Sequence, residues 1–277
     1  MSGMKRITSE ANPIYKAAVQ LKQKKYRDAG MKYLVEGPNL IREALENGGE
    51  IEMILQSEDF REEALGSESA DSPLLCGAGN EIPMAAVAPA LFLRLSDTET
   101  PQGIMAIVKK RIWGQEEFFS LGQSGASNII VLDRLQDPGN IGTILRTADA
   151  AGYLGAVIMK GTADIYSPKI VRAAAGSLFR LPVLAAETPG SVIGLLKQHG
   201  KSVICTAPAG DRFYYDVDLK ENAAVIIGNE GNGARDEFLE HSDFLVRIPM
   251  EGKIESLNAA VSAGILMYES VRRRYRE

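Results

Sequence analysis

The stretch NIIVLDRLQDPGNIG, residues 128–142, decides the fold class of this chain. Residues 128–132 form an apolar run of the kind found in parallel strands that are buried on both faces. A polar turn follows and opens a helix predicted near residues 140–151, so Asn140 lies close to the helix N-terminus. A buried strand followed directly by a helix is typical of an α/β domain built on a parallel sheet.

The rest of the second half repeats this alternation of strands and helices. It predicts an open parallel sheet with helices on both faces, preceded by a smaller α/β domain in the first half of the chain. The predicted strands are 128–132, 156–159, 202–206, 224–227 and 244–248, and the predicted helices lie near 140–151, 168–175, 190–199, 235–240 and 257–274.

The first half shows shorter elements. Apolar residues at helical spacing over 13–27 follow Asn12, a suitable N-cap, and Pro13, which suits the first helical position. Glycine, serine and glutamine without a clear period make 112–126 a predicted linker between domains at 1–111 and 127–277. The other predicted elements are strands at 32–36, 51–56 and 103–109, helices at 38–46 and 84–93, and an acidic, serine-rich loop at 66–73.

Composition excludes several classes of protein. The 277 residues are 45% hydrophobic and 24% charged, as in a soluble globular protein. No apolar run approaches the ~18 residues that a membrane span requires, and the polar N-terminus lacks the apolar core of a secretory signal. The two cysteines, Cys76 and Cys205, indicate neither a disulfide framework nor a zinc site. We therefore expect a cytoplasmic protein without a metal ion.

Positive charge is concentrated near the N-terminus, although the net charge of the chain is −5. Residues 1–33 contain eight lysines and arginines and only two acidic residues. Such a patch can dock the phosphates of a nucleic acid on a protein that is otherwise acidic. A solvated helix face explains the same charges equally well.

Three polar segments follow predicted strands, and ligands in parallel α/β sheets bind at the carboxyl ends of strands. The first segment, 133–148, places Asn140 at a helix N-terminus, where anions are favoured. It also places Arg146 where its cation can reach a phosphate. An ordinary strand–turn–helix with a capping asparagine is the simpler explanation of this segment taken alone.

The other two segments lie near the C-terminus. Residues 228–233 contain three glycines, which allow a close backbone approach to a ligand, and Glu230, whose carboxylate can accept hydrogen bonds from loop amides. Residues 248–260 contain Ser256 and Asn258, either of which can cap the last helix. A tight turn would explain the first of these segments. Capping would explain either Ser256 or Asn258 but does not readily explain both.

Taken together, the three segments resemble the three motifs of the SpoU/TrmH family within the SPOUT methyltransferases. The resemblance covers about residues 127–272. The first half resembles the L30e-like substrate-binding domain attached to many such enzymes. This resemblance favours RNA docking as the interpretation of the basic patch. The matching motifs are DPGNIG at 137–142 with RTA at 146–148, GNEGNG at 228–233, and IPM at 248–250 with SLNA at 256–259; in the first half they are KKYR at 24–27, YLVEG at 33–37, EAL at 43–45 and TPQG at 100–103.

The resemblance implies an RNA 2′-O-ribose methyltransferase that uses S-adenosylmethionine, bound at a trefoil knot and a homodimer interface. It implies 23S rRNA as the substrate in preference to tRNA. By the same carry-over, the catalytic positions are Asn140, Arg146, Glu230, Ser256 and Asn258; the cofactor contacts are Thr206, Ala207, Gly228, Ile248 and Leu257; and the RNA contacts are Lys24, Lys25, Arg27 and Arg172.

Two other functions stay open at this point: a non-catalytic RNA-binding protein that has kept the fold, and a SPOUT enzyme that methylates a tRNA base. The intact catalytic positions argue against the first. A Rossmann-type methyltransferase or dehydrogenase is excluded because its glycine fingerprint is absent. The family's proposed base for the hydroxyl proton corresponds to Arg146, but a guanidinium is a poor proton acceptor, so phosphate binding by Arg146 and proton transfer to Glu230 are alternatives.

Overall fold

The computed structural model describes residues 4–60, 82–124 and 127–275. The predicted acidic loop at 66–73 and Cys76 lie outside the described residues. The chain divides into two compact units: Met1–Arg111 with Tyr166–Arg172, and Ile112–Ile165 with Ala173–Glu277.

The first unit is a mixed sheet flanked by helices. Its described strands pair in the order β1-β4-β3-β5-β2, with β5 antiparallel to β2 and β3 and the other pairs parallel. Ile7, Leu55, Phe92 and Leu95 are buried in its apolar core. The elements are β1 (Lys5–Ile7), α1 (Pro13–Gln20), α2 (Lys24–Gly30), β2 (Lys32–Glu36), α3 (Pro38–Glu46), β3 (Ile51–Ser57), β4 (Met84–Val87), α4 (Pro89–Leu95) and β5 (Ile104–Lys109).

The helix predicted over 84–93 is wrong in its first half. Met84–Val87 is a strand in which Ala85 and Val87 are buried, and it pairs with both β1 and β3. Pro89 then starts α4, since a proline without an N–H suits the first helical position.

The helical pattern over 13–27 is divided into α1 and α2. Arg27 lies in the second of these and is only 4% exposed. Its guanidinium donates to the carbonyls of Leu21 (2.8 Å) and Lys22 (2.7 Å). Because carbonyls at a helix end lack partners within the helix, Arg27 stabilises this corner of the chain.

The second unit contains a sheet in which every described strand pair is parallel, in the order β10-β12-β9-β11-β6-β7-β8. This confirms the predicted fold class; the trefoil knot stays a prediction. The elements are α5 (Gln115–Ser120), β6 (Ile129–Leu132), α6 (Pro138–Ala150), β7 (Gly155–Met159), α7 (Pro168–Ala173), α8 (Ser177–Arg180), β8 (Val183–Ala186), α9 (Pro189–Gln198), β9 (Ser202–Thr206), β10 (Arg212–Phe213), β11 (Ala223–Ile227), α10 (Asp236–His241), β12 (Phe244–Arg247) and α11 (Ala259–Arg274).

The segment 112–126, predicted as an irregular linker, contains α5. Phe118 and Phe119 of this helix are buried in the core of the second unit. Phe119 also stacks on the ring of His199, with ring centroids 3.9 Å apart. Two large apolar side chains therefore attach this segment to the unit despite its glycine and serine content.

Close packing around α6 requires glycine at Gly142. A methyl group there would lie 2.3 Å from Cβ of Ala173 and 2.9 Å from the Ala173 backbone. On its other side α6 packs against α11, the last helix. The N-terminal half of α6 therefore has little freedom to move. Among the described helices, none combines the length and hydrophobicity needed to cross a membrane.

Replacing Gly142 by Ala is expected to lower the thermal unfolding midpoint by several degrees, because overpacking of this kind costs about 1–3 kcal/mol. Gly194, an exposed glycine of α9, is the matched control: a methyl group there meets nothing within 4 Å. Gly194→Ala should raise stability by about 0.5–1 kcal/mol through helix propensity alone. Differential scanning calorimetry of the two variants tests the packing; equal midpoints would contradict it.

Candidate active site

A cavity of about 950 Å³ opens at the carboxyl ends of β9, β11 and β12, three adjacent strands. This volume lies within the range of small-molecule sites. Residues from the second and third polar segments line it, whereas the first segment reaches it only through the hydrogen bonds of Asn140 to Glu230 and Asn258. The predicted residues in the lining are Thr206, Ala207, Gly228, Glu230, Ile248, Ser256, Leu257 and Asn258.

The glycine loop, Gly228–Gly233, forms one wall of the cavity. Asn229 and Gly233 exchange two backbone hydrogen bonds of 2.9 Å each, which closes the loop on itself. A Cβ on Gly228 would lie 2.0 Å from the backbone nitrogen of Ala234, so the returning chain passes directly over this position. Gly233 has a φ of +66°, which favours glycine. The close backbone approach seen at Gly228 is to the loop itself, and the approach of a ligand stays a prediction.

Glu230 of this loop accepts hydrogen bonds from the first polar segment. Its carboxylate receives the backbone N–H groups of Gln136 (3.3 Å) and Asp137 (3.2 Å) and the side-chain amide of Asn140 (3.3 Å). Burial acts to raise the pKa of Glu230, but the hydrogen bonds from its own backbone, Asn140, Asp137 and Gln136 outweigh burial and lower it. Glu230 is thus an ionised acceptor that holds the loop against the start of α6.

Asn140 connects the three polar segments. It is the third residue of α6, and its backbone N–H is capped by the Asp137 side chain at 2.8 Å. Its side-chain N–H group points to Glu230, while its side-chain oxygen accepts a 2.8 Å hydrogen bond from Asn258. Asn258 in turn caps α11 by accepting from the backbone N–H of Ala260 at 2.9 Å. We call Glu230, Asn140 and Asn258 the amide relay.

The two remaining predicted catalytic residues, Ser256 and Arg146, lie outside the amide relay. Ser256 is exposed at the cavity. Arg146 is exposed on α6 and does not line the cavity; within the described part of the chain it makes no hydrogen bond or ion pair. The structure therefore brings Asn140, Glu230, Ser256 and Asn258 to one site and leaves Arg146 facing outwards.

The predicted RNA contacts lie in the first unit. Lys24 and Lys25 are exposed on α2. Arg172 is half-buried, and its Nη1 atom has no hydrogen-bond partner among the described residues. The prediction for Arg27 is corrected, because its guanidinium is buried against the carbonyls that follow α1. A basic sequence pattern does not separate a cation that caps a helix from one that faces solvent.

Sequence reasoning missed part of the cavity lining. Arg247 is the last residue of β12 and Pro208 lies two residues beyond β9, so their position at strand ends was a usable signal. Ser262 lies one helical turn after Asn258, on the same side of α11. The other unpredicted lining residues include Asn229, Asn232, Met250 and Glu255.

Two family models match this chain, one in each half. The model of the SpoU rRNA Methylase family matches residues 127–268, and the model of the MRM3-like substrate binding domain matches residues 12–106. The predicted substrate-binding domain in the first half is thus confirmed.

Relatives of known name extend over nearly the whole chain. The 23S rRNA (guanosine(2553)-2′-O)-methyltransferase RlmP of Bacillus subtilis is 36% identical, covering 96% of this chain and 98% of its own. A 23S rRNA (uridine(2479)-2′-O)-methyltransferase of Streptomyces viridochromogenes is 32% identical, covering 98% and 93%.

A solved structure shares the fold of the full chain. The AdoMet-bound rRNA methyltransferase from Sinorhizobium meliloti superimposes with a TM-score of 0.83 at 31% identity, over 98% of each chain. The predicted methyltransferase activity and S-adenosylmethionine cofactor are confirmed by these similarities. The chain belongs to the SpoU rRNA methylase family, with a substrate-binding domain ahead of its methyltransferase domain.

Proposed function

We propose that this enzyme transfers a methyl group from S-adenosylmethionine to a ribose 2′-hydroxyl of 23S rRNA in the cytoplasm. The observation that carries the proposal is the amide relay, which joins all three polar segments beside the cavity. The names of the Bacillus and Streptomyces relatives support the choice of 23S rRNA, because both match this chain through its substrate-binding domain as well. The same match supports domains at 1–111 and 127–277.

The cavity fits S-adenosylmethionine in size and in lining. Its volume of about 950 Å³ accommodates a nucleoside carrying an amino-acid arm. Gly228, Ile248 and Leu257 follow or precede regular elements, where free backbone groups can bind an adenine and a carboxylate. When bound, the cofactor supplies an electrophilic methyl group on a sulfonium. We propose Thr206 and Ala207 as contacts at the edge of the same site.

The catalytic residues are proposed to act by positioning and electrostatics. Glu230 is a weak base, since it is already hydrogen-bonded to three donors and its pKa is lowered. Through Asn140 it fixes the amide relay and with it the start of α11, next to Ser256. The guanidinium of Arg146 offers several N–H donors and no acceptor. Its role is to bind the substrate phosphate and stabilise negative charge on the attacking oxygen.

The proposal includes a homodimer formed through α11. Val261, Tyr268 and Tyr275 are 51%, 51% and 86% exposed and lie seven residues apart, so they share one side of this helix. A row of large apolar side chains on a helix surface is typical of a protein interface. The helix that carries Arg146, α6, packs on α11. We therefore propose that Arg146 serves the cavity of the partner copy.

The substrate is tested by mapping ribose methylation in a strain that lacks the gene and in its parent. We expect one 2′-O-methyl group of 23S rRNA to disappear, measured as lost resistance to alkaline cleavage at that nucleotide. The purified enzyme should restore it on the unmodified rRNA. Loss at a tRNA position instead would reassign the substrate, and a lost base methyl group would refute ribose chemistry.

Replacing Arg146 by Ala is expected to lower the single-turnover rate of methyl transfer by at least about 100-fold, the usual effect of removing one charge-stabilising donor. Cofactor affinity, measured by calorimetry, should stay unchanged because Arg146 does not line the cavity. Arg146→Lys keeps the cation and should recover part of the rate. A full rate in Arg146→Ala would refute the proposed role.

The same variant tests whether Arg146 acts across the dimer. Heterodimers of Arg146→Ala with Gly228→Val, purified through two different tags, contain one cavity with an intact lining and an intact partner arginine. They should recover activity that neither homodimer shows. Heterodimers without activity would place Arg146 at the cavity of its own chain.

Glu230→Gln tests the anchoring charge. Because the pKa of Glu230 is lowered on folding, its ionised form adds stability above its unfolded pKa of about 4.3. That stability is lost as the pH falls through the lowered, folded value. We expect wild type to have the higher unfolding midpoint at pH 7 and the two midpoints to converge below about pH 4. A constant difference across pH would contradict the role of the charge.

A further inference from the structure

A second network of charged groups lies beneath the glycine loop and outside the predicted site. The Asp133 carboxylate, directly after β6, is fully buried. It accepts hydrogen bonds from the backbone N–H (2.9 Å) and Nε (2.8 Å) of Arg235. Its second oxygen lies 3.6 Å from Nε of Arg134. A buried carboxylate needs such cationic partners, because burial of an unpaired charge is strongly unfavourable.

Arg235 connects this carboxylate to the end of the loop. The loop ends at Gly233, and only Ala234 separates it from Arg235. Ala234 is itself buried against Gly228, at the loop's beginning. The two hydrogen bonds to Asp133 therefore attach the exit of the loop to the end of the neighbouring strand, β6.

Arg134 holds the loop from the other side. It has a φ of +62°, a left-handed conformation that residues with a side chain rarely adopt. Its Nη2 donates to the Gly233 carbonyl at 3.3 Å, and its own carbonyl accepts from the Asn229 side chain at 2.9 Å. Asn229 and Gly233 are the two residues whose mutual hydrogen bonds close the loop.

The backbone conformation of Arg134 suits glycine, whereas its contacts need an arginine. The aliphatic part of its side chain packs over Gly161, where a Cβ would lie 3.1 Å from Cγ of Arg134. A long cationic side chain kept in an unfavourable backbone conformation next to a binding cavity indicates a functional constraint.

We propose that Asp133, Arg134 and Arg235, here called the loop clamp, are positioning residues that keep the glycine loop in the shape that accepts the cofactor. The inference rests on the proposed cofactor site. The loop forms a wall of the cavity and carries Glu230, so a displaced loop shifts both the cofactor contacts and the amide relay. A clamp that served stability alone would affect unfolding and leave the folded protein's affinity unchanged.

Arg134→Gly separates these two roles. Glycine adopts a φ of +62° without strain, and Arg235 keeps its two hydrogen bonds to Asp133, so the thermal midpoint should change little. The contact with Gly233 is lost, and we expect the dissociation constant for S-adenosylmethionine to rise about tenfold. In the protein without cofactor, the amides of residues 229–235 should exchange with solvent faster. Arg134→Lys retains a cation and should recover part of the affinity.

Ala175→Gly is the matched control. Ala175 has a φ of +48° in the turn between α7 and α8, so its replacement releases a comparable backbone constraint elsewhere in the same unit. Its cofactor affinity and its exchange at residues 229–235 should equal those of wild type.

The clamp is refuted if Arg134→Gly binds cofactor and exchanges like wild type, or if its affinity falls only together with its thermal midpoint. Gly228→Ala separates refutation of the loop clamp from refutation of the proposed cofactor site, because a methyl group at residue 228 disrupts the cavity wall directly. Wild-type affinity in a folded Gly228→Ala would refute the cofactor site itself. Weak binding in Gly228→Ala with normal binding in Arg134→Gly would refute the clamp alone.

Discussion

The active site depends on the side-chain amide of Asn140. One end of this amide donates to Glu230 on the glycine loop, and the other accepts from Asn258 at the start of α11. A carboxylate in its place cannot donate to Glu230, and an apolar side chain removes one hydrogen bond from Glu230 and the acceptor of the Asn258 amide. Three segments that are distant in sequence thus share a single planar group. Because β6, β11, β9 and β12 are neighbours in the sheet, the segments that follow them are close enough for the Asn140 amide to contact both Glu230 and Asn258.

Two carboxylates at this edge of the sheet have different tasks because their surroundings differ. Glu230 is exposed on the loop and receives neutral amide donors, so it orients backbone and side-chain groups around the cavity. Asp133 is fully buried and is neutralised by arginine, so it connects the loop to the sheet from below. Both are committed to hydrogen bonds within the protein. Because both carboxylates already accept hydrogen bonds within the protein, we propose that the catalytic power of the site comes from positioning and charge stabilisation.

The sequence predicted elements well where periodicity and terminal signals agree. The bounds of β2, α3 and β9 were predicted without error, and Asn258 does cap the last helix. The helix predicted over 84–93 was wrong for residues 84–87, because a short apolar run does not distinguish a buried strand from a helix. The prediction of an irregular linker over 112–126 missed α5, because it was based on the glycines and not on the two phenylalanines that are buried in the core. The motifs predicted several residues that line the cavity, whereas the amide relay and the loop clamp depend on contacts between residues far apart in the chain. Burial of Arg27 depends on a local turn of the chain after α1, which the charge pattern does not reveal.

The construction of the cavity bears on how substrate is chosen. Its lining combines glycines and small side chains with polar groups that can contact a base edge, among them Arg247, Glu255 and the amide of Asn232. The first unit presents Lys24 and Lys25 at its surface, and lysines contact phosphates as point charges without reading sequence. Recognition by such groups follows the shape of a folded RNA, whose 2′-hydroxyl is also the reacting group. We therefore propose that the ribose to be methylated is selected by the RNA shape that the substrate-binding domain holds, together with the polar groups of the cavity that contact the base.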